Sequence, residues 1–153
     1  MKKFWPAILL VGLLFLFVFG YLRKDNLNRF ISGKIQQQAQ TENAFSARER
    51  IQKEYNYQNN NKNFDFTLLE FSSTGCTICK QMEPVLREIE NSEKPKVNVA
   101  FLHIMKPDNL DLMKYYGISA VPMQILLDSG GNEFFRHYGF ISAEDLLKKF
   151  RQQ

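Results

Sequence analysis

The sequence predicts an α/β domain, a mixed central sheet flanked by helices, preceded by one apolar N-terminal segment. Three observations lead there. Short apolar, β-rich runs at 64–71, 97–104, 123–128 and 133–138 alternate with helical patterns at 76–92, 109–116 and 142–151, which is the alternation of an α/β architecture. Ser129-Gly130-Gly131-Asn132 joins the last two strands as a hairpin turn, so that pair is antiparallel. The only cysteines, Cys76 and Cys79, fall where the first strand gives way to a helix. A chain of 153 residues is long enough for one compact domain plus an extension.

Residues 4–22 carry no charge. At about 1.5 Å per residue they nearly span a hydrocarbon core of about 30 Å. Trp5 and Tyr21 stand at the two ends, where amphipathic rings favour the membrane interface. Val18 and Gly20 give a weak cleavage pattern, and the Phe-rich run beside them is a poor Ala-x-Ala site. The reading is an uncleaved signal-anchor helix over 1–22. The net charge of +4 belongs to this flank: Lys2, Lys3, Arg23, Lys24, Arg29 and Lys34 stand against Asp25 alone up to residue 40. The remainder is nearly neutral and has no basic stripe, so nucleic-acid binding is not expected. Lys2 and Lys3 favour a cytoplasmic N-terminus, while Arg23, Lys24, Arg29 and Lys34 pull the other way. The short N-terminal tail decides the choice, placing the domain outside the cytoplasmic membrane.

Residues 23–42 are polar, rich in Gln and Asn, and read as a linker. The domain runs over 43–153. Phe45, Arg48, Ile51, Gln52 and Tyr55 give a short amphipathic helix, and the asparagines at 59–63 a solvated loop. Residues 64–71 read as a buried central strand, and the helix from Cys76 must accommodate Pro84. The continuous apolar run at 97–104 suits a strand buried on both faces. Gly117 caps the helix over 109–116. Ser142 caps the last helix, with Asp145 three residues on.

A strand ending in Ser72-Ser73-Thr74-Gly75 and a helix opening at Cys76 put that sulfur at a helix N-terminus, where free N–H groups and the helix dipole favour a thiolate. Two cysteines three apart can close a small disulfide ring and cycle between dithiol and disulfide. The same pair is half of a zinc site, or a structural bridge closing a loop too short to constrain the unfolded chain much. His103 and His137, the only histidines, lack ligand spacing, so no metal is expected. Redox chemistry is the favoured reading.

With these marks in order, residues 43–153 resemble the thioredoxin superfamily. Three features carry the resemblance: Cys76-Thr77-Ile78-Cys79-Lys80 with Pro84 behind it; Tyr116-Gly117-Ile118-Ser119-Ala120-Val121-Pro122; and the Gly130-Gly131 hairpin followed by Gly139 and the last helix. The resemblance implies a thioredoxin fold and a thiol–disulfide oxidoreductase. It makes Cys76 the exposed nucleophile and Cys79 the buried resolving cysteine. It makes Pro122 a cis-proline facing the disulfide, with Val121 offering backbone hydrogen bonds to an extended substrate. Glu70, six residues before Cys76, occupies the position of a buried acid that helps deprotonate the second cysteine. A carboxyl in so apolar a strand should have a raised pKa.

The sequence also departs from thioredoxin. Gly75 and Ser72 replace aromatics, Phe101 stands where a lysine often accompanies the acid, and Thr77-Ile78 replaces Gly-Pro. His103 reads as a satisfied core or strand-end histidine, the alternative being that it faces the Glu70 region. No cofactor is implied. Resemblance to anchored relatives implies protein disulfide substrates outside the cytoplasm, apocytochrome c among them, and a membrane thiol-transfer protein as electron donor. The alternatives are a disulfide-forming oxidase using the same residues and a non-catalytic binding or assembly module.

Overall fold

The computed structural model describes residues 43–153, together with helical positions 12–14, 30, 31 and 33. Apart from those few positions, the expected anchor over 1–22 and the linker over 23–42 lie outside the described residues. Among the described residues no helix is long and apolar enough to cross a membrane.

Over residues 43–153 the elements follow in this order: α1 (Asn43–Glu54), a single helical turn α2 (Tyr57–Asn60), β1 (Phe66–Ser72), α3 (Thr77–Glu90), β2 (Val97–His103), a 3-10 turn (Pro107–Asn109), α4 (Leu110–Tyr116), β3 (Met123–Leu127), β4 (Glu133–Tyr138) and α5 (Ala143–Arg151). The four strands form one sheet in the order β2-β1-β3-β4. β1 runs parallel to β2 and antiparallel to β3, and β3 runs antiparallel to β4. The sheet is therefore mixed, as the sequence predicts.

Alternation along β1 and β3 divides the core into two layers, because successive side chains leave opposite faces of a strand. Leu69, Phe71, Met123, Ile125 and Leu127 pack against α1 and α4. Leu68 and Leu126 pack against Met82, Leu86 and Ile89 of α3 and Leu146 and Phe150 of α5. Glu70 and Gln124 fall on this second face, in register with each other. Helix α3 keeps Pro84 within it, so one backbone donor is missing from its interior.

Three local expectations change. The buried face of α1 runs through Ala47, Ile51 and Tyr55, while Phe45 is 73% exposed; spacing of four, not three, sets the face that meets α4. The Asn-rich loop starts later than expected, because Asn56 accepts the Gln58 N–H and caps the turn at Tyr57–Asn60. Strand β2 is not buried on both faces: it is the sheet edge among the described residues, and Phe101 is 53% exposed.

Candidate active site

Strand β1 delivers the chain to the site. Its last residue, Ser72, is followed by a loop in which Gly75 has φ +78, a left-handed conformation that glycine adopts without steric cost. A tryptophan at this position would be strained, which gives a physical reason for the departure seen in the sequence. The loop ends at Cys76, the N-cap of α3, whose Sγ accepts the Cys79 N–H at 3.1 Å. A sulfur in this position meets both an aligned donor and the positive end of the helix, and both favour its thiolate.

Cys76 and Cys79 are joined as a disulfide with 5.2 Å between their Cα atoms. Cys76 is partly exposed, whereas Cys79 is buried at 7% exposure. The first sulfur is therefore the more open of the two to a partner, and the second is largely covered. The arrangement can perform thiol–disulfide exchange. Among the described residues no three His, Cys, Asp or Glu side chains converge as a metal site.

Glu70 is 1% exposed and shares an open groove of about 560 Å³ with Cys79, Lys80, Arg87, Phe101 and His103. Burial pushes its carboxyl up to about 8, against the weaker opposing pull of the Gln124 amide. Gln124 Nε2 donates to Glu70 Oε2 at 2.9 Å, while Glu70 Oε1 and Gln124 Oε1 have no partner among the described residues. Phe101 is the β2 partner of Glu70, so no cation offsets the burial of the acid from that strand.

The Val121–Pro122 bond is cis. It immediately precedes β3, whose first residue, Met123, pairs with Phe71. The topology thus brings Val121 and Pro122 to the end of the sheet from which the 73–75 loop departs. The Pro122 carbonyl accepts the Gly139 N–H at 2.9 Å, whereas the backbone groups of Val121 have no hydrogen-bond partner among the described residues.

Sequence reasoning missed Gln124 altogether and, for His103, which lines the same groove as Glu70, the contact its ring makes. Gln124 is the only polar residue in β3, which was a usable signal, yet only the strand register reveals Glu70 as its partner. His103 is a strand-end histidine as read, but its ring also meets the Thr74 N–H at 3.0 Å. Nothing in the spacing of the two residues predicts that contact. His137 lies elsewhere, with Nε2 3.0 Å from the Phe140 carbonyl oxygen.

A family model described as a thioredoxin-like domain matches residues 51–153. The thioredoxin-like protein YdfQ of Bacillus subtilis is 30% identical over 91 residues, covering 60% of this chain and 78% of the relative. The chloroplastic thioredoxin-like protein HCF164 of Arabidopsis thaliana is 30% identical over 67 residues, or 44% of this chain; the match spans only 26% of that relative. A solution structure of a thioredoxin-like protein from Clostridium perfringens superposes with a TM-score of 0.54 at 24% identity, over 63% of this chain and 76% of that one.

Proposed function

The chain belongs to the thioredoxin-like family, and from that premise we propose that it is a membrane-anchored thiol–disulfide oxidoreductase that reduces disulfides of exported proteins. The observation that carries the chemistry is the pairing of a partly exposed Cys76 on a helix N-terminus with a buried Cys79 behind it. In the reduced protein the Cys76 thiolate attacks a client disulfide. A bond forms between Cys76 and one client sulfur; the other client sulfur leaves with the electron pair and takes up a proton. Cys79 gives its proton to the Glu70 carboxylate and attacks Cys76. The second client sulfur leaves with the electron pair and takes up the proton that Glu70 received, which returns Glu70 to the carboxylate, and the Cys76–Cys79 disulfide remains. Val121 and Pro122 dock the client strand, and the free Val121 backbone groups suit that role. Two electrons and two protons from a dithiol donor, a membrane thiol-transfer protein in this reading, restore the pair.

The reducing direction follows from what surrounds the thiolate. Strong oxidants depend on an unusually stable reduced form. Here Thr77 and Ile78 lie between the cysteines, with no histidine or other cation there to add stability. Equilibration with glutathione is expected to give about −200 to −270 mV. A value near about −120 mV would favour the disulfide-forming oxidase instead.

The anchor rests on the uncharged run over 4–22, in which Leu13 and Leu14 are 70% and 59% exposed. The native protein should stay in the membrane fraction with its N-terminus intact; a sequence beginning near Tyr21 would mean cleavage. With the Cys76–Cys79 pair oxidised, Gln38→Cys should react with an impermeant maleimide in intact cells. Labelling only after lysis would put the domain inside.

A further inference from the structure

We propose that His103 is a positioning residue for the Cys76–Cys79 pair: its neutral ring accepts the Thr74 N–H, holds the loop that delivers Cys76, and releases it on protonation. The inference rests on the oxidoreductase reading, since the loop matters to function only if Cys76 exchanges disulfides.

His103 ends β2, and the parallel register sets it beside Ser72, the last residue of β1. Its carbonyl accepts the Lys106 N–H at 3.1 Å and the Asn109 side-chain amide at 3.0 Å. The turn that follows therefore fixes its backbone, while its ring reaches back to the loop that precedes Cys76. Nε2 lies 3.0 Å from the Thr74 nitrogen and Nδ1 lies 3.1 Å from the Met105 nitrogen. Two backbone donors thus face one ring.

A neutral imidazole has one acceptor nitrogen and one N–H. The tautomer protonated on Nδ1 holds Thr74, the other holds Met105, and the imidazolium holds neither. The Met105 contact lies within a turn already closed by the Lys106 and Asn109 hydrogen bonds. The Thr74 contact is the one side-chain hydrogen bond to residues 73–75 among the described residues. Thr74 and Gly75 are exposed, and an added Cβ at Gly75 would meet nothing within 4 Å. The Nε2 acceptor is therefore what ties this segment to the sheet. Releasing it loosens the segment that sets Cys76 Sγ against the Cys79 N–H.

The charged groups facing the same groove are Glu70 on β1 and Lys80, Glu83 and Arg87 on α3, with Cys79 when reduced. Lys80 and Arg87 oppose a further cation; Glu83 and an ionised Glu70 favour one. Whatever their balance, a protonated ring has no acceptor nitrogen, so protonation removes the clamp and deprotonation restores it.

The test is amide hydrogen exchange at Thr74 in the full-length oxidised protein, expressed as protection relative to the intrinsic rate, with the ring tautomer read from nitrogen shifts. Wild type, His103→Gln and His103→Phe are compared from about pH 8 to about pH 5. Glutamine keeps an acceptor that does not titrate; phenylalanine keeps a ring without an acceptor. Wild type should carry its proton on Nδ1 and lose about threefold to tenfold of Thr74 protection as the ring becomes charged. The glutamine variant should keep its protection at every pH, and the phenylalanine variant should show the lower value throughout. An unprotected Thr74 amide in alkaline wild type, equal protection in the phenylalanine variant, or a glutamine variant that still follows the wild-type profile would each overturn the proposal. Insulin reduction near neutrality should fall about tenfold in His103→Phe and recover in His103→Gln to within about threefold of wild type; equal rates in the two variants count against it. The exchange measurements read the clamp whether or not insulin is reduced. Failure of the oxidoreductase reading would show separately, as wild type that reduces no insulin.

Discussion

Cys76→Ser is expected to abolish insulin reduction, a fall on the order of a thousandfold or more, because a hydroxyl supplies no comparable nucleophile near neutral pH. Cys79→Ser is expected to fail differently. Its Cys76 can still attack, but no second sulfur resolves the mixed disulfide, so clients accumulate as covalent adducts that dithiothreitol releases. The order of events follows from burial. Cys76 is partly open to solvent and accepts the Cys79 N–H at the helix N-terminus. Cys79, at 7% exposure, is the less accessible of the two to a client sulfur. Non-reducing electrophoresis of membranes carrying either variant separates the outcomes. Adducts on Cys76→Ser and none on Cys79→Ser would reverse the assignment. Wild type without reductase activity, and adducts on neither variant, would support the binding-module alternative.

The elements were legible because each carries its own local signal. β1 announces itself by its largely apolar run, Phe66, Leu68, Leu69 and Phe71, and α3 by the period of Met82, Leu86 and Ile89. Gly117 and Ser142 act at the helix ends where their conformational and capping properties predict. Misreadings arose where a neighbour, and not local pattern, decides burial. Phe45 has the composition of a core residue but sits on the side of α1 away from Ala47 and Ile51. β2 is as apolar as an interior strand, yet Phe101 lies at the opening of the groove beside α3.

The site was less legible than the fold, since it depends on register. Cys76 and Cys79 could be singled out because they are adjacent along one helix turn. Glu70 could be suspected as a lone carboxyl in an apolar strand. Its environment could not, because Gln124 is 54 residues away in sequence and meets it only through antiparallel pairing of β1 with β3. The His103–Thr74 contact has the same origin: parallel pairing brings the end of β2 to the exit of β1. A side chain that acts on a backbone N–H leaves no mark on the residue type it contacts.

Glu70→Gln is expected to stabilise the protein in alkaline solution while slowing its catalysis. Burial raises the Glu70 carboxyl to about 8 in the fold, from an ordinary value of 4.5. The folded chain therefore keeps a proton that the unfolded chain gives up across that interval. Stability conferred by the protonated acid is complete below the unfolded value and declines as pH rises through the folded one, by up to about 5 kcal/mol. Glutamine has the same shape and no proton to lose. Urea unfolding of the oxidised forms at about pH 5 and about pH 9 should show the variant gaining several kcal/mol on wild type between the two conditions. A pH-independent difference would mean that Glu70 titrates as an exposed carboxyl, which would remove it from the proton-transfer step. The catalytic effect runs the other way. A base near 8 is poised close to neutrality and can take the proton of Cys79 as it attacks. Resolution of the mixed disulfide should then quicken as pH rises through about 8 in wild type. In the variant it should be slower by roughly a hundredfold and lack that rise. Glu70→Leu separates the two roles, because it leaves the Gln124 amide donor buried without its partner and should be less stable than Glu70→Gln by about 1–3 kcal/mol at every pH. The position thus trades alkaline stability for a proton acceptor placed behind Cys79, and only a buried carboxyl supplies both effects.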